Sequence, residues 1–484
     1  MNCFMAIELK LLIDKEKNRV VFAESDTFFV DALFSFLTVP IATVVRLSSK
    51  KSNLGSMDAL YESIENLHSR YLQTEAVKEM LLCPRSASEA QTKDVALNVN
   101  AEVTTYYICE NCRFNGADPL ISTVKNVRCR CGGAMIVKIV FRKSKPVVDG
   151  SDEGVFVKRT MRFMISDDLQ VGPISTNACL SLLNELGVRD RAALEEKSVN
   201  VGTNEALHIL RQLMVSNTPL TDVFLPKPDA LGNASGALKL YLEDIATDKK
   251  DTGKKMSVKL LVSESKNKVL YAEATNDFLD LLFSFLTFPL GSIVKLLGPG
   301  SSIRCLDNLY RSVEDLSRDD NCIISEECRA MLLDPKLSVH SGCDNQLLPV
   351  VDTGPMTIDT SLFRECQVTS IPRIVFLSPC SAFHFINPKL SGAATECGGG
   401  FVKGPNTMLM VTDGLDVKPL SFISGIPILD RFDVPISDVQ ERVVSVGEEE
   451  ALSLLKAALF SRTVLSDVFC QKKVNHMEIK LERE

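Results

Sequence analysis

KLLIDKEKNRVVFAESDTFFVDALFSFLTVP, residues 10–40, returns without a gap as KLLVSESKNKVLYAEATNDFLDLLFSFLTFP at 259–289. The offset of 249 residues still holds where LYESIENL at 60–67 meets LYRSVEDL at 309–316. Farther on, KEMLLCP at 78–84 matches RAMLLDP at 329–335, and VNVGTNEALHILRQLMVSNTPLTDVF at 199–224 matches VSVGEEEALSLLKAALFSRTVLSDVF at 444–469. A period of about 250 residues marks a duplicated domain rather than a solenoid of short repeats. The reading gives a first repeat domain at 1–245 with a ribbon-like insert at about 103–142, a charged linker at 246–255 (within DIATDKKDTGKKM), and a second repeat domain at 256–484.

Within each copy the pattern predicts a β-hairpin, with strands near 6–13 and 19–24 around DKEKN and their counterparts around SESKN. Phe29, Leu33, Phe36 and Leu37 recur at helical spacing, as do Leu279, Leu282, Phe285 and Leu286. Helices are also expected over SMDALYESIENL, TEAVKEMLL, GTNEALHILRQLM and the matching segments, the last kind opening with acidic residues that suit the helix N-terminus. The middle of each copy is richer in strand and turn residues, and ALKLYLED at 237–244 and MEIKLERE at 477–484 alternate as half-buried strands do. The class is α+β.

The paired FVDALFSFLTVP and FLDLLFSFLTFP blocks, the LYxSxExL segments and the VGxxEALxxL…DVF endings together resemble the plant family called domain of unknown function 674, present as two copies over nearly the whole chain. That resemblance implies a plant protein and carries no activity, cofactor or catalytic residue with it.

The totals narrow the function classes. Apolar residues are 45% and charged residues 24%, an ordinary globular balance. The net charge of −8 opposes attraction of the whole chain to nucleic acid or anionic membranes. The runs 28–45 and 278–294 approach the ~20 apolar residues of a membrane span, but each holds an aspartate and a proline, so each reads as a buried helix broken at Pro40 or Pro289. Fifteen cysteines, an odd count, together with an N-terminus unlike a secretory signal, predict an intracellular chain, cytoplasmic or nuclear, with thiols rather than a disulfide framework.

CENCRFNGADPLISTVKNVRCRCGG carries the strongest chemical signal. Cys109 and Cys112 form one chelating turn, Cys129 and Cys131 a tighter one eased by Gly132 and Gly133, and strand-forming VTTYYI and MIVKIVF flank them. Four thiolates in this arrangement suit a zinc ribbon, whose closed tetrahedral site folds the module and leaves no position for activating water. Unmetallated thiols, a redox CxxC and a disulfide are the competing readings. In the second copy Cys380 and Cys397 match Cys109 and Cys131, while Phe383 and Thr395 replace Cys112 and Cys129. One zinc per chain, in the first copy only, is the expectation, with His384 too isolated to complete a second set.

A basic run, Lys125, Arg128, Arg130, Lys138, Arg142, Lys143 and Lys145, covers the same segment with no acidic residue from 119 to 148. It could contact phosphates, with Tyr106, Tyr107 or Phe114 stacking on bases, or serve as a solvated or protein-docking face. Asp31 and Asp280 sit at equivalent places in apolar helices, where a carboxylate pair doing acid–base work competes with an exposed helix edge or a bond to nearby backbone. VVDTGP at 350–355 reads as a loop and GGG at 398–400 as a turn. The five histidines, His68, His208, His340, His384 and His476, do not recur between copies, and no phosphate loop, nucleophile elbow or HExxH motif is present. The reading is a non-enzymatic protein-interaction or adaptor module with a protein partner and no membrane. Its alternatives are a nucleic-acid binder using the basic ribbon and a small-molecule carrier or enzyme with a site between the copies.

Overall fold

The structure is a computed structural model that describes residues 7–92, 95, 105–112, 119–143, 154–159, 161–225, 253–298, 303–318, 322–353, 357–359, 363–368, 374–376, 382–390, 398–404 and 408–470. The strand-like segments 237–244 and 477–484 and most of the linker lie outside the described residues. Helices and strands mix in an α+β arrangement built on two five-stranded antiparallel sheets.

The first sheet orders Val171–Pro173, Phe163–Ser166, Arg19–Ser25, Ile7–Asp14 and Leu194–Val201; the second repeats that order with Val417–Pro419, Leu409–Thr412, Lys268–Ala274, Met256–Ser263 and Val439–Val446. The opening stretch explains the centre of each. Ile7, Leu9, Leu11 and Ile13 alternate inward with exposures of 0–6%, as a strand with one buried face requires. Asp14 then closes the turn by accepting from the backbone N–H groups of Glu16 and Lys17, and Asn18 takes the left-handed conformation at φ 45°, as Asn267 does at φ 46°.

Helix Thr27–Ser35 starts where the Asp26 carboxylate accepts from Phe28 N–H at 3.0 Å, and the chain breaks before helix Ile41–Leu47 at Pro40. Helices Asn276–Thr287 and Leu290–Leu297 repeat this around Pro289. Among the described residues no helix is long and apolar enough to cross a membrane.

The halves then interlock. Helix Met57–Asn66 of the first half reaches the edge strand of the second sheet, where the Ser63 hydroxyl accepts from Val417 N–H at 2.9 Å. Helix Arg304–Leu316 of the second half reaches the first sheet in the same way, with Ser312 accepting from Val171 N–H at 2.8 Å. Backbone bridges cross as well: Gln73 N–H bonds Phe401 O and Lys403 N–H bonds Tyr71 O at 2.9 Å each, mirrored by Lys158 N–H to Cys322 O and Ile324 N–H to Phe156 O. Leu9, Leu33, Leu260 and Leu282, all fully buried, belong to one continuous hydrophobic cluster that runs through both halves.

The middles of the halves also share sheets. Ile374–Phe376, Phe363–Val368, Ala134–Lys143 and Tyr106–Cys109 lie side by side in that order, with Val127–Arg128 also on Ala134–Lys143. Thr357–Asp359 and Ala382–Phe385 continue onto Leu120–Ile121.

Candidate metal centre

The ribbon sheet brings the four cysteines together. Cys109 ends strand Tyr106–Cys109, opposite Met135. Cys129 and Cys131 occupy the turn between Val127–Arg128 and Ala134–Lys143, closed by Cys129 N–H to Gly133 O at 2.8 Å and Gly132 N–H to Cys129 O at 2.9 Å. Cys112 follows one turn after Cys109. All four Sγ atoms lie within 4.8 Å of one another, with Cys109 to Cys131 at 3.4 Å and Cys129 to Cys112 at 3.7 Å. Metal–sulfur bonds of about 2.3 Å in a tetrahedron separate the sulfurs by about 3.8 Å, so the cluster has the size of a filled site. The four cysteines are close enough to hold a metal ion.

Gly133 completes the cradle. A Cβ there would stand 3.0 Å from Cys109 Sγ and 3.3 Å from Cys131 Sγ, so a side chain would crowd the sulfurs. Its N–H points at Cys131 Sγ at 3.4 Å. That contact, followed by the thiols of Cys112 and Cys109, lowers Cys131 to about 7, while hydrogen bonds with Cys131 and Cys129 push Cys112 up to about 12. Burial raises Cys129. The cluster therefore yields one proton readily and holds others, until a cation displaces them.

Around the ribbon the basic residues are less free than their sequence suggests. Lys125, Arg128, Arg130 and Lys138 are exposed, but Glu79 feels both Lys125 and Lys138. Arg142 and Lys143 end strand Ala134–Lys143, with their side chains outside the described residues, as is Lys145 altogether. The expected stacking rings are engaged or buried: Tyr106 packs under the Arg85 guanidinium at 4.6 Å and against Phe385 at 5.8 Å, and Tyr107 is 8% exposed. Phe114 lies outside the described residues.

Asp31 and Asp280 are buried and do not lie on an exposed edge. Each anchors a loop by backbone bonds: Asp31 accepts from the N–H groups of Val155, Phe156 and Val157, and Asp280 from those of Phe401 and Val402 directly after GGG. Burial lifts Asp31 to about 6 and Asp280 to about 7, the smaller rise going with the extra N–H donor.

Asp352 of VVDTGP accepts from Gly342 N–H at 2.6 Å, as a loop residue does. It belongs to a buried group that sequence reasoning missed, with Lys389 bonded to Gly342 O and influenced by Asp352, Cys343, Asp344 and Asp280. Burial holds the Lys389 ammonium below its ordinary range, pushes Cys343 up to about 12 and lowers His340 to about 4. Such a thiol is inert and such an imidazole neutral. His68 accepts from Arg70 N–H, His208 lies 3.5 Å from Gln212, His384 sits in strand Ala382–Phe385, and Cys380, Thr395, Cys397 and His476 are outside the described residues.

A cleft of ≈440 Å³ opens where helix Met57–Asn66 meets strand Val417–Pro419, with Glu62, His68, Arg70, Asp416 and Lys418 on its walls. The repeated serine of LYxSxExL was its sequence signal, since Ser63 is what joins these two elements.

Residues 5–449 match the family described as "Protein of unknown function (DUF674)", and the chain belongs to that family. No curated protein and no solved structure matches it.

Proposed function

We propose that this DUF674 chain is a non-enzymatic plant protein-interaction module, intracellular, made of two homologous halves by duplication and braced by one structural zinc ion on Cys109, Cys112, Cys129 and Cys131. The zinc reading rests on the sulfur geometry: four thiolates and no other donor suit zinc, and a closed site supplies folding free energy rather than a reactive water. Metal analysis of the purified protein tests it. About one zinc per chain is expected, falling away in Cys109→Ser with Cys129→Ser; a wild-type protein without zinc overturns the reading.

The interaction reading rests on one contrast between the halves. Around the second sheet Met408, Ile423, Ile426, Ile436 and Val443 are exposed by 42–78%. The matching places around the first sheet hold Arg162, Asn177, Leu180, Arg191 and Ser198, polar at four of five. Register puts Val443 opposite Lys259, on the face that carries Leu261 and Tyr271, and Gly425 of helix Phe422–Arg431 rests against Tyr271 on that face. One half thus shows water an apolar surface that its twin does not, as expected of a binding face. Proteins co-purifying from source tissue with the wild type should be lost from Ile436→Lys with Val443→Lys at unchanged folding stability. An identical set of partners with both proteins sinks this surface.

A second reading, a small polar ligand in the cleft between Arg70 and Lys418, is favoured by the cleft's place on the seam of the halves. A ligand that raises thermal stability in the wild type and not in Arg70→Ala with Lys418→Ala would establish it.

A further inference from the structure

We infer that the single metal site fastens the strands of both halves, so that one ion fixes the middle of the whole chain. The inference rests on the metal reading above and goes beyond it, because a ribbon site ordinarily orders only its own loop.

The strand order carries the argument. Phe363–Val368 joins its sheet along Ala134–Lys143, with Cys366 opposite Phe141, Gln367 opposite Val140 and Val368 opposite Ile139, and Ile374–Phe376 hangs on its far side. Strand Ala134–Lys143 emerges directly from the Cys129–Cys131 turn, and its other edge pairs with the strand that ends in Cys109. A metal bridging Cys109 to Cys131 therefore pins both the start and the opposite edge of the strand on which the second half's strands are laid.

The loop between the two chelating turns makes a separate attachment. His384 N–H bonds Pro119 O at 3.0 Å and Ile386 N–H bonds Ile121 O at 2.9 Å, which sets Ala382–Phe385 parallel to Leu120–Ile121. Thr357–Asp359 pairs with the opposite edge of Ala382–Phe385. Phe383 is fully buried, and Phe385 packs on Tyr106 at 5.8 Å. This strand of the second half thus leans on the first half's ribbon. Strands of two to six residues with so few neighbours have little stability of their own, so they persist only while their support is rigid.

Hydrogen exchange on the full chain, read peptide by peptide, tests this with zinc-loaded protein and with the same protein after chelation. Chelation should speed exchange at least tenfold in 106–109 and 134–140, and equally in 363–368 and 382–386, while 7–25 and 256–274 keep their protection. Re-added zinc should restore all four segments. Cys109→Ser with Cys131→Ser should reproduce the chelated pattern, and chelation of the wild type decides the matter where that variant fails to accumulate. Loosening confined to 106–140 overturns the inference and leaves the metal reading standing. Loss of protection throughout both five-stranded sheets overturns it too, since the effect is then not local. A wild-type chain that binds no metal overturns both readings.

Discussion

Pro40 and Pro289 face each other across an antiparallel bridge, with Ile41 N–H bonded to Phe288 O and Leu290 N–H to Val39 O, both at 3.0 Å. Two residues that share the 249-residue offset are thus neighbours in space, as they would be on a local two-fold axis. Each proline ends one apolar helix and opens the next, and lacking an N–H it leaves its neighbours to make the bridge. From this contact outward each half sends a helix onto the other's sheet.

Interlocking of this kind predicts a single unfolding event. Ser63→Ala and Ser312→Ala each strip a buried backbone N–H, of Val417 or Val171, of its acceptor, at a cost of about 1–3 kcal/mol. Either change should lower the midpoint of one cooperative transition seen by all probes. Two separate transitions, with only one displaced, would contradict the shared core.

Gly55 is the tightest crossing point. At φ 47° it lies so close to the second half that a Cβ would fall 2.5 Å from Ala458 O, whereas Gly187, at φ 71°, has nothing within 4 Å of the same position. Gly187→Ala should cost about 1–2 kcal/mol, the strain of a left-handed alanine. Gly55→Ala should cost at least twice as much by chemical denaturation, since a backbone carbonyl of the other half must also move.

Asp280 gives a pH signature with a definite sign. Its folded carboxyl is raised from 3.8 to about 7, so folding favours the protonated form. Its contribution is complete below about pH 4 and fades as pH rises through about 7, at no more than about 1.4 kcal/mol per pH unit. The stability of wild type relative to Asp280→Asn should therefore decline by a few kcal/mol between pH 4 and pH 8. His340, depressed to about 4, works in the opposite direction, but it is present in both proteins and cancels from the difference.

Gly133→Ala should loosen the metal without removing a ligand. The new methyl must displace Cys109 Sγ or Cys131 Sγ, so competition with a chromogenic chelator should show affinity reduced by tenfold or more. Gly132→Ala leaves no atom within 4 Å of the added carbon but forces a left-handed alanine at φ 84°, so its loss reports backbone strain in the turn without crowding of the sulfurs. Unchanged affinity in Gly133→Ala would mean that crowding of the sulfurs is not what matters.

The α+β class, the hairpins, the breaks at Pro40 and Pro289 and the four-cysteine cluster were all legible in the chain, because each depends on residues close in sequence. Strand alternation, left-handed Asn18, the proline breaks and a chelating turn are local chemistry. Asp31 and Asp280 were visible as oddities in apolar helices, yet their partners lie more than a hundred residues away in loops without a signature. Lys389 was hidden in the same way, since its carboxylates Asp352, Asp344 and Asp280 stand 37, 45 and 109 residues before it.

By itself the sequence determined the elements and the four cysteines that cluster in the ribbon, since hydrophobic period, turn residues and cysteine spacing act within a few turns of chain. Tertiary structure alone decided that Ser63 serves the second sheet and Ser312 the first, and that Phe363–Val368 lies along Ala134–Lys143. Two sheets of the same strand order offer each helix two chemically similar surfaces. Local pattern cannot distinguish them, and the choice falls to the packing of one core shared by both halves.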